Sequence, residues 1–169
     1  MGKNAIVVVD PQQCFIKEGA KYAITAQPEG IIPIIKSISK KFDFCLMTKK
    51  VLDGLEDSEI FPGIEDRYNT FTVNVNEKDI FSTSHDSKYM DKIPIIDFLK
   101  TKEVDRVFLV GPVDFNVNET AINFSKIFDT YVIIDGVRYS GNIKDTIQYL
   151  IKNDIKILNS VDLPFFIKK

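Results

Sequence analysis

Histidine is almost missing from this 169-residue chain; His85 is the one example. A Ser-His-Asp or Cys-His relay therefore has little to stand on. Cysteine is nearly as scarce. Cys14 and Cys45 lie far apart and neither belongs to a CxxC pair, so neither a disulfide nor a zinc site is expected. Charge of one sign is also lacking. Twenty-two Lys and Arg face 24 Asp and Glu, a net charge of -2, which gives no electrostatic basis for binding nucleic acid or an anionic membrane. No apolar run approaches the roughly 18 residues of a membrane span. The first apolar run, Ile6–Val9, is too short and too soon followed by Asp10-Pro11 to be a signal peptide. The Met1-Gly2 start fails the myristoylation pattern because Ile6 stands where Ser or Thr is needed. These exclusions give a cytoplasmic expectation. No internal repeat, linker or low-complexity segment is visible, so residues 1–169 are expected to form one domain with a core of its own.

What is present is an alternation of short apolar runs and helical periods. Asn4–Asp10, Asp43–Thr48, Thr70–Val75, Val107–Gly111, Thr130–Ile134 and Ile155–Leu158 read as six strands. Helices are predicted over Gly30–Lys41, Ile93–Lys102 and Asn116–Phe128, each with an apolar stripe, and over Ile143–Asn153. Glu77–Tyr89 reads as a polar loop, and Ser82, Ser84 and His85 within it read as loop polarity. Cys45, inside Phe42–Met47, reads as a buried strand residue. Strands alternating with helices predict an α/β fold, a three-layer sandwich with a six-stranded, mostly parallel sheet. In such sheets ligands lie beyond the carboxyl ends of the strands. Asp10, Thr48, the residues after Val75 and the turn after Gly111 share that edge.

The segment Arg106–Ala121 is the most informative. The apolar strand Val107–Val110 runs into Gly111-Pro112, and a short turn then leads through Asn116 into a helix. Backbone N–H groups converge at such a helix start and can stabilise negative charge. Asp10 ends a wholly apolar strand, where a carboxylate is either a cap for the next loop or a site residue.

Asp10-Pro-Gln-Gln-Cys-Phe15 resembles the Asp-x-Gln-x-Asp-Phe opening of the isochorismatase-like cysteine hydrolases, the group that includes nicotinamidases. Asp10, Gln12 and Phe15 match, while Cys14 stands where an acidic residue is usual. Ile96–Gly111 is similar to that family's helix, turn and fourth strand. Asp114-Phe-Asn-Val-Asn-Glu-Thr-Ala121 is similar to its Asp-Tyr-Cys-Val-x-x-Thr-Ala nucleophile motif. Tyr131–Gly136 and Ile155–Leu163 resemble its closing elements, so the likeness spans almost the whole chain.

The resemblance implies a triad of Asp, Lys and Cys, in which a thiolate attacks an amide carbon, the carboxylate takes the thiol proton and lysine steadies the charges. Asp10 occupies the base position. Lys78, at the end of the third strand, is the candidate lysine, against the alternative of an ordinary surface residue. The nucleophile position is Asn116, and an amide has no proton to lose near neutral pH and no lone pair comparable to a thiolate's. Asn116 is instead expected to cap the helix beginning at Val117 or to bond a ligand. Gln12, Phe15, Gly111, Pro112, Val113 and Asp114 are expected to line the pocket and its oxyanion turn. That turn is one residue shorter than the family's, and Pro112 predicts a cis Gly111–Pro112 bond. The family's metal pattern after the second strand, Thr-x-Asp-x-His, is met at Thr48 alone, so no metal or other cofactor is expected. The resulting expectation is a protein with a hydrolase fold that has lost the hydrolase chemistry. It would bind a small molecule, form a homo-oligomer, or act as a subunit of a larger complex. The alternative is an active hydrolase of small amides or esters with a displaced nucleophile, for which Cys14 is the candidate.

Overall fold

The computed structural model describes residues 2–20, 22–23, 27–50, 56, 59–64, 70–75, 84–87 and 90–167, with the backbone alone at 50, 70–75, 84–87 and 90–94. Lys78, Ser82 and Tyr89 lie outside the described residues.

The first strand, β1 (Lys3–Val8), is followed by a short helix, α1 (Gln13–Ile16), and by α2 (Ile32–Ser39), which a 3-10 turn at Pro28–Ile31 introduces. Then come β2 (Phe44–Lys50), β3 (Thr70–Val75), β4 (Ser84–Ser87), β5 (Met90–Pro94) and α3 (Ile95–Thr101). The chain closes with β6 (Val104–Gly111), α4 (Asp114–Ser125), β7 (Asp129–Val137), α5 (Ile143–Lys152), β8 (Lys156–Leu158) and α6 (Leu163–Phe166). Six strands form one sheet in the order β3-β2-β1-β6-β7-β8, and every pairing within it is parallel.

The strands alternate their apolar side chains between two cores. Ala5, Val7 and Leu109 face a cluster that contains Phe98 and Leu99 of α3, Val117, Ala121 and Phe124 of α4, and Leu150 of α5. Ile6, Val8, Phe108 and Val110 face the opposite cluster, with Ile35 and Ile38 of α2 and Leu163 at the start of α6. Strands buried on both faces explain the near-continuous Val/Ile/Leu runs, because each side of the pleat needs its own apolar set. The result is the expected three-layer sandwich.

Two sequence readings require correction. Part of the segment read as a polar loop is an antiparallel hairpin, β4–β5, apart from the main sheet, and its second strand takes up Ile93 and Pro94. The following helix therefore starts at Ile95; proline has no N–H for a helix interior and suits the strand end. The helix predicted from Asn116 begins at Asp114, two residues earlier. A hydrogen bond from the Val117 N–H to the Val113 carbonyl closes its first turn.

Candidate functional site

Parallel strands place all their carboxyl ends on one edge, and three chain segments meet there. Past β1, Val9 still pairs with β6 through its N–H on the Val110 carbonyl, at 2.8 Å. Asp10 then turns with φ of 48°, in the left-handed region that only Asn, Asp and Gly visit readily. Thr48, deep in β2, secures this turn twice. Its Oγ1 accepts from the Asp10 N–H at 2.8 Å and donates to Asp10 Oδ1 at 2.7 Å. From the other side Asn116 Nδ2 donates to Asp10 Oδ2 at 2.9 Å, joining residues 106 positions apart in the chain. All three side chains are buried; Asp10 is 4% exposed and Asn116 8%. The structure thus brings together the two triad positions it describes.

Asn116 does not cap α4. It is the third residue of the helix, the cap position is Val113, and the side chain turns sideways to Asp10. The helix starts early because Asp114 suits its first turn. A carboxylate there faces the positive end of the helix dipole. Asp114 is also held across the molecule, Oδ1 accepting from the Ser140 N–H and hydroxyl and Oδ2 from the Thr146 hydroxyl. It is therefore an anchor between α4 and the β7–α5 connection. Next to it Tyr139 donates its hydroxyl hydrogen to the Ile134 carbonyl at 2.7 Å. Burial pushes its phenol pKa well up, and the nearby Asp114 and Asp135 carboxylates push the same way.

The turn itself departs from expectation. No cis peptide occurs among the described residues, so Gly111–Pro112 is trans. Gly111 continues β6, pairs with Val137, and its carbonyl accepts from the Arg138 N–H at 3.2 Å; an extended strand end of this kind is served by the trans bond. A side chain at Gly111 would be obstructed, since a Cβ would stand 2.7 Å from the Val9 carbonyl oxygen and 2.9 Å from Val117 Cγ2. Proline supplies no N–H, so any oxyanion donors must come from Val113 onward and from the first turn of α4, whose N–H groups have no acceptor within the helix.

Cys14, Phe15 and Val113 form a small apolar cluster of their own, with Tyr22 packed against it; the Phe15 and Tyr22 rings lie 6.3 Å apart. Gln12, fully buried, precedes α1 and pairs through its backbone with Ile60. Cys14 is 1% exposed, and Cys45 is a buried strand residue as expected. Lys78 falls outside the described residues. Thr48 is the site residue that sequence reasoning placed on this edge but gave no role beyond the metal pattern. Its one signal is that it is the polar residue ending the apolar run Phe44–Met47.

No protein-family model and no curated protein matches the sequence. Solved structures do match. An Alkaliphilus metalliredigens isochorismatase-like hydrolase superposes with a TM-score of 0.76 at 18% identity, covering 98% of this chain and 99% of its own. The Acinetobacter baumanii nicotinamidase gives 0.75 at 21% identity, covering 96% and 99%. The chain has the isochorismatase-like hydrolase fold. A pyrazinamidase of Pyrococcus horikoshii, solved in complex with zinc, shares the fold with a TM-score of 0.73 at 18% identity, covering 93% of this chain and 99% of its own. In the present version of the isochorismatase-like fold, Thr48 is turned to Asp10, and no three His, Cys, Asp or Glu side chains converge as a metal centre among the described residues.

Proposed function

We propose that this chain is a non-hydrolytic protein of isochorismatase-like fold, a binding module that holds a small molecule at the Asp10–Asn116 edge and serves as a homo-oligomer or as a subunit of a larger assembly. The hydrogen bond from Asn116 Nδ2 to Asp10 Oδ2 carries this reading. A hydrolase of this type needs a thiol that gives its proton to the carboxylate and then attacks. Here the group against the carboxylate is a neutral amide that keeps its proton. Thr48 occupies the other carboxylate oxygen, so the general-base position is held as a hydrogen-bonded anchor.

A displaced nucleophile receives no support from Cys14. The residue is 1% exposed, packed in α1 with Phe15 and Val113 in an apolar cluster, where a buried thiol is held in its protonated form rather than as the thiolate that attacks.

The test is ammonia release from nicotinamide and pyrazinamide by the purified protein, with and without prior thiol alkylation. Release no greater than that of an Asp10→Asn variant is expected. Turnover that alkylation abolishes would overturn the proposal and return the chain to the cysteine hydrolases.

A further inference from the structure

The outer edge of the sheet at β8 is bordered by apolar side chains that the fold of one chain leaves in water. β8 ends the strand order, so among the described residues its backbone is paired on the β7 side only. Edge strands are ordinarily guarded by projecting charges or by covering elements. Lys156, the one charged residue of β8, does not guard this edge. Its ammonium lies over the Tyr131 ring and pairs with Asp129, drawn back onto β7.

Both faces beside this edge present apolar residues. On one face is α5, whose Thr146 bonds Asp114 of α4. At about 100° per helical residue, Ile151 stands roughly 140° round the helix from Thr146. The row Ile143, Ile147, Ile151 therefore turns away from α4 and out over the β8 side. Leu150 is the one buried residue of α5, and Ile151 is 61% exposed. On the other face α6 lies over β7 and β8, with the Phe166 ring edge-on to Tyr131, which pairs with Lys156. Leu163 and Ile167 are buried in the core there, while Val161, in the 3-10 turn Ser160–Asp162, is 75% exposed and Phe165 81%.

We propose that the β8 edge and its two flanking faces form the interface with a second copy of this chain. Symmetry favours that occupant. The row on α5 is centred on Ile147, so a two-fold axis normal to the sheet sets Ile143 of each copy against Ile151 of the other and runs the two β8 strands antiparallel. The bordering charges, Lys144, Asp145, Lys152, Asp154 and Asp162, are of both signs, which suits a matching copy better than nucleic acid or a strongly charged protein. The area agrees as well. A homodimer of standard size buries about 800 Å² on each partner, about 65% of it apolar. Ile143, Ile151, Val161, Phe165 and Phe166 expose on the order of 400 Å² per copy, before Ile147 and the β8 backbone are counted. Of the assemblies proposed above the inference takes the homo-oligomer, and it needs nothing of the Asp10–Asn116 edge.

The experiment follows the mass of the full chain by light scattering and sedimentation over a dilution series from the high micromolar range downward. A dimer is expected. Ile151→Asp and Phe165→Asp change exposed positions, so each is expected to fold, and each should raise the dimer Kd at least about 10-fold by placing a carboxylate in apolar contact area. Ile127→Asp, at an exposed isoleucine between α4 and β7, is the control and should leave the Kd unchanged. A wild-type chain that stays monomeric throughout the series overturns the proposal. So does a dimer that both edge variants leave intact, or one that Ile127→Asp weakens as much. Circular dichroism melts accompany each variant, and should one edge variant not fold, the other carries the test. Hydrogen exchange on the wild-type protein is an independent measurement: the Lys156–Leu158 amides should exchange more slowly in the dimer than in the diluted chain, and equal rates would place the interface elsewhere. Ammonia release decides the non-hydrolytic reading separately. Turnover by a dimer built on this edge overturns that reading and leaves the interface standing.

Discussion

Thr48 does for Asp10 what the backbone alone would not. A non-glycine residue in a sparsely populated conformation costs on the order of 1 kcal/mol or more and persists where its surroundings determine it. The threonine hydroxyl bonds both the amide and the carboxylate of Asp10, so one side chain fixes the turn and the direction of the acid. Thr48→Val keeps the shape and removes both bonds, the acceptor of the buried Asp10 N–H and the hydroxyl donor to its Oδ1. A loss of about 1–3 kcal/mol is expected, read as a lower urea midpoint at unchanged slope. At this scale the sequence was only partly legible. Asp10 and Asn116 could be placed on one edge because strand ends and turns are written in local apolar runs. The role of Asn116 could not, because a helix that starts at Asp114 rather than at Val117 changes an expected cap into a side chain aimed at a carboxylate.

Among elements, the junction of β6 and α4 is the tightest constraint near the site. Gly111 lies against the Val9 carbonyl and a Val117 methyl, and the first of these contacts is backbone that cannot rotate away. Gly111→Ala is expected to destabilise by about 1–3 kcal/mol, the usual range for overpacking, and to lower Tm in a thermal melt. It should also disturb the Asp10 and Asn116 amide resonances, since Val9 and Val117 each adjoin one of them. The elements themselves were mostly readable. Thr70–Val75 is observed with the bounds its alternation predicts, and β6 and α5 lie within a few residues of theirs. Two features were not. The β4–β5 hairpin lies in a polar segment with no apolar period to announce strands. Proline at position 112 reads as a cis signal in isolation, but Gly111 already has a strand partner in β7, and that pairing goes with a trans bond.

For the whole molecule, the six-stranded sheet stands between two cores that share every central strand. Neither core can be opened without exposing the other's backing, so one cooperative transition is expected for the entire chain. Tyrosine fluorescence, the available probe in a chain without tryptophan, and far-UV circular dichroism should give coincident urea curves. Separate midpoints would reveal two folding units and contradict the expectation of one domain. The fold was the most legible feature of all, because strands buried on both faces and alternating with helices have few ways to pack.

The strand order bears on how the chain is made. β1 is the first strand in the sequence and lies in the middle of the sheet, where one of its neighbours is β6 at Val104–Gly111. During synthesis, Ala5–Val8, a strand of wholly apolar side chains, therefore has one edge of unpaired N–H and C=O groups until roughly the first hundred residues have emerged. Long-range parallel pairing of this kind is slow and prone to aggregation. The Asp10–Asn116 contact cannot form before β6 docks, and a nascent chain halted before residue 104 should be a ready client for chaperones.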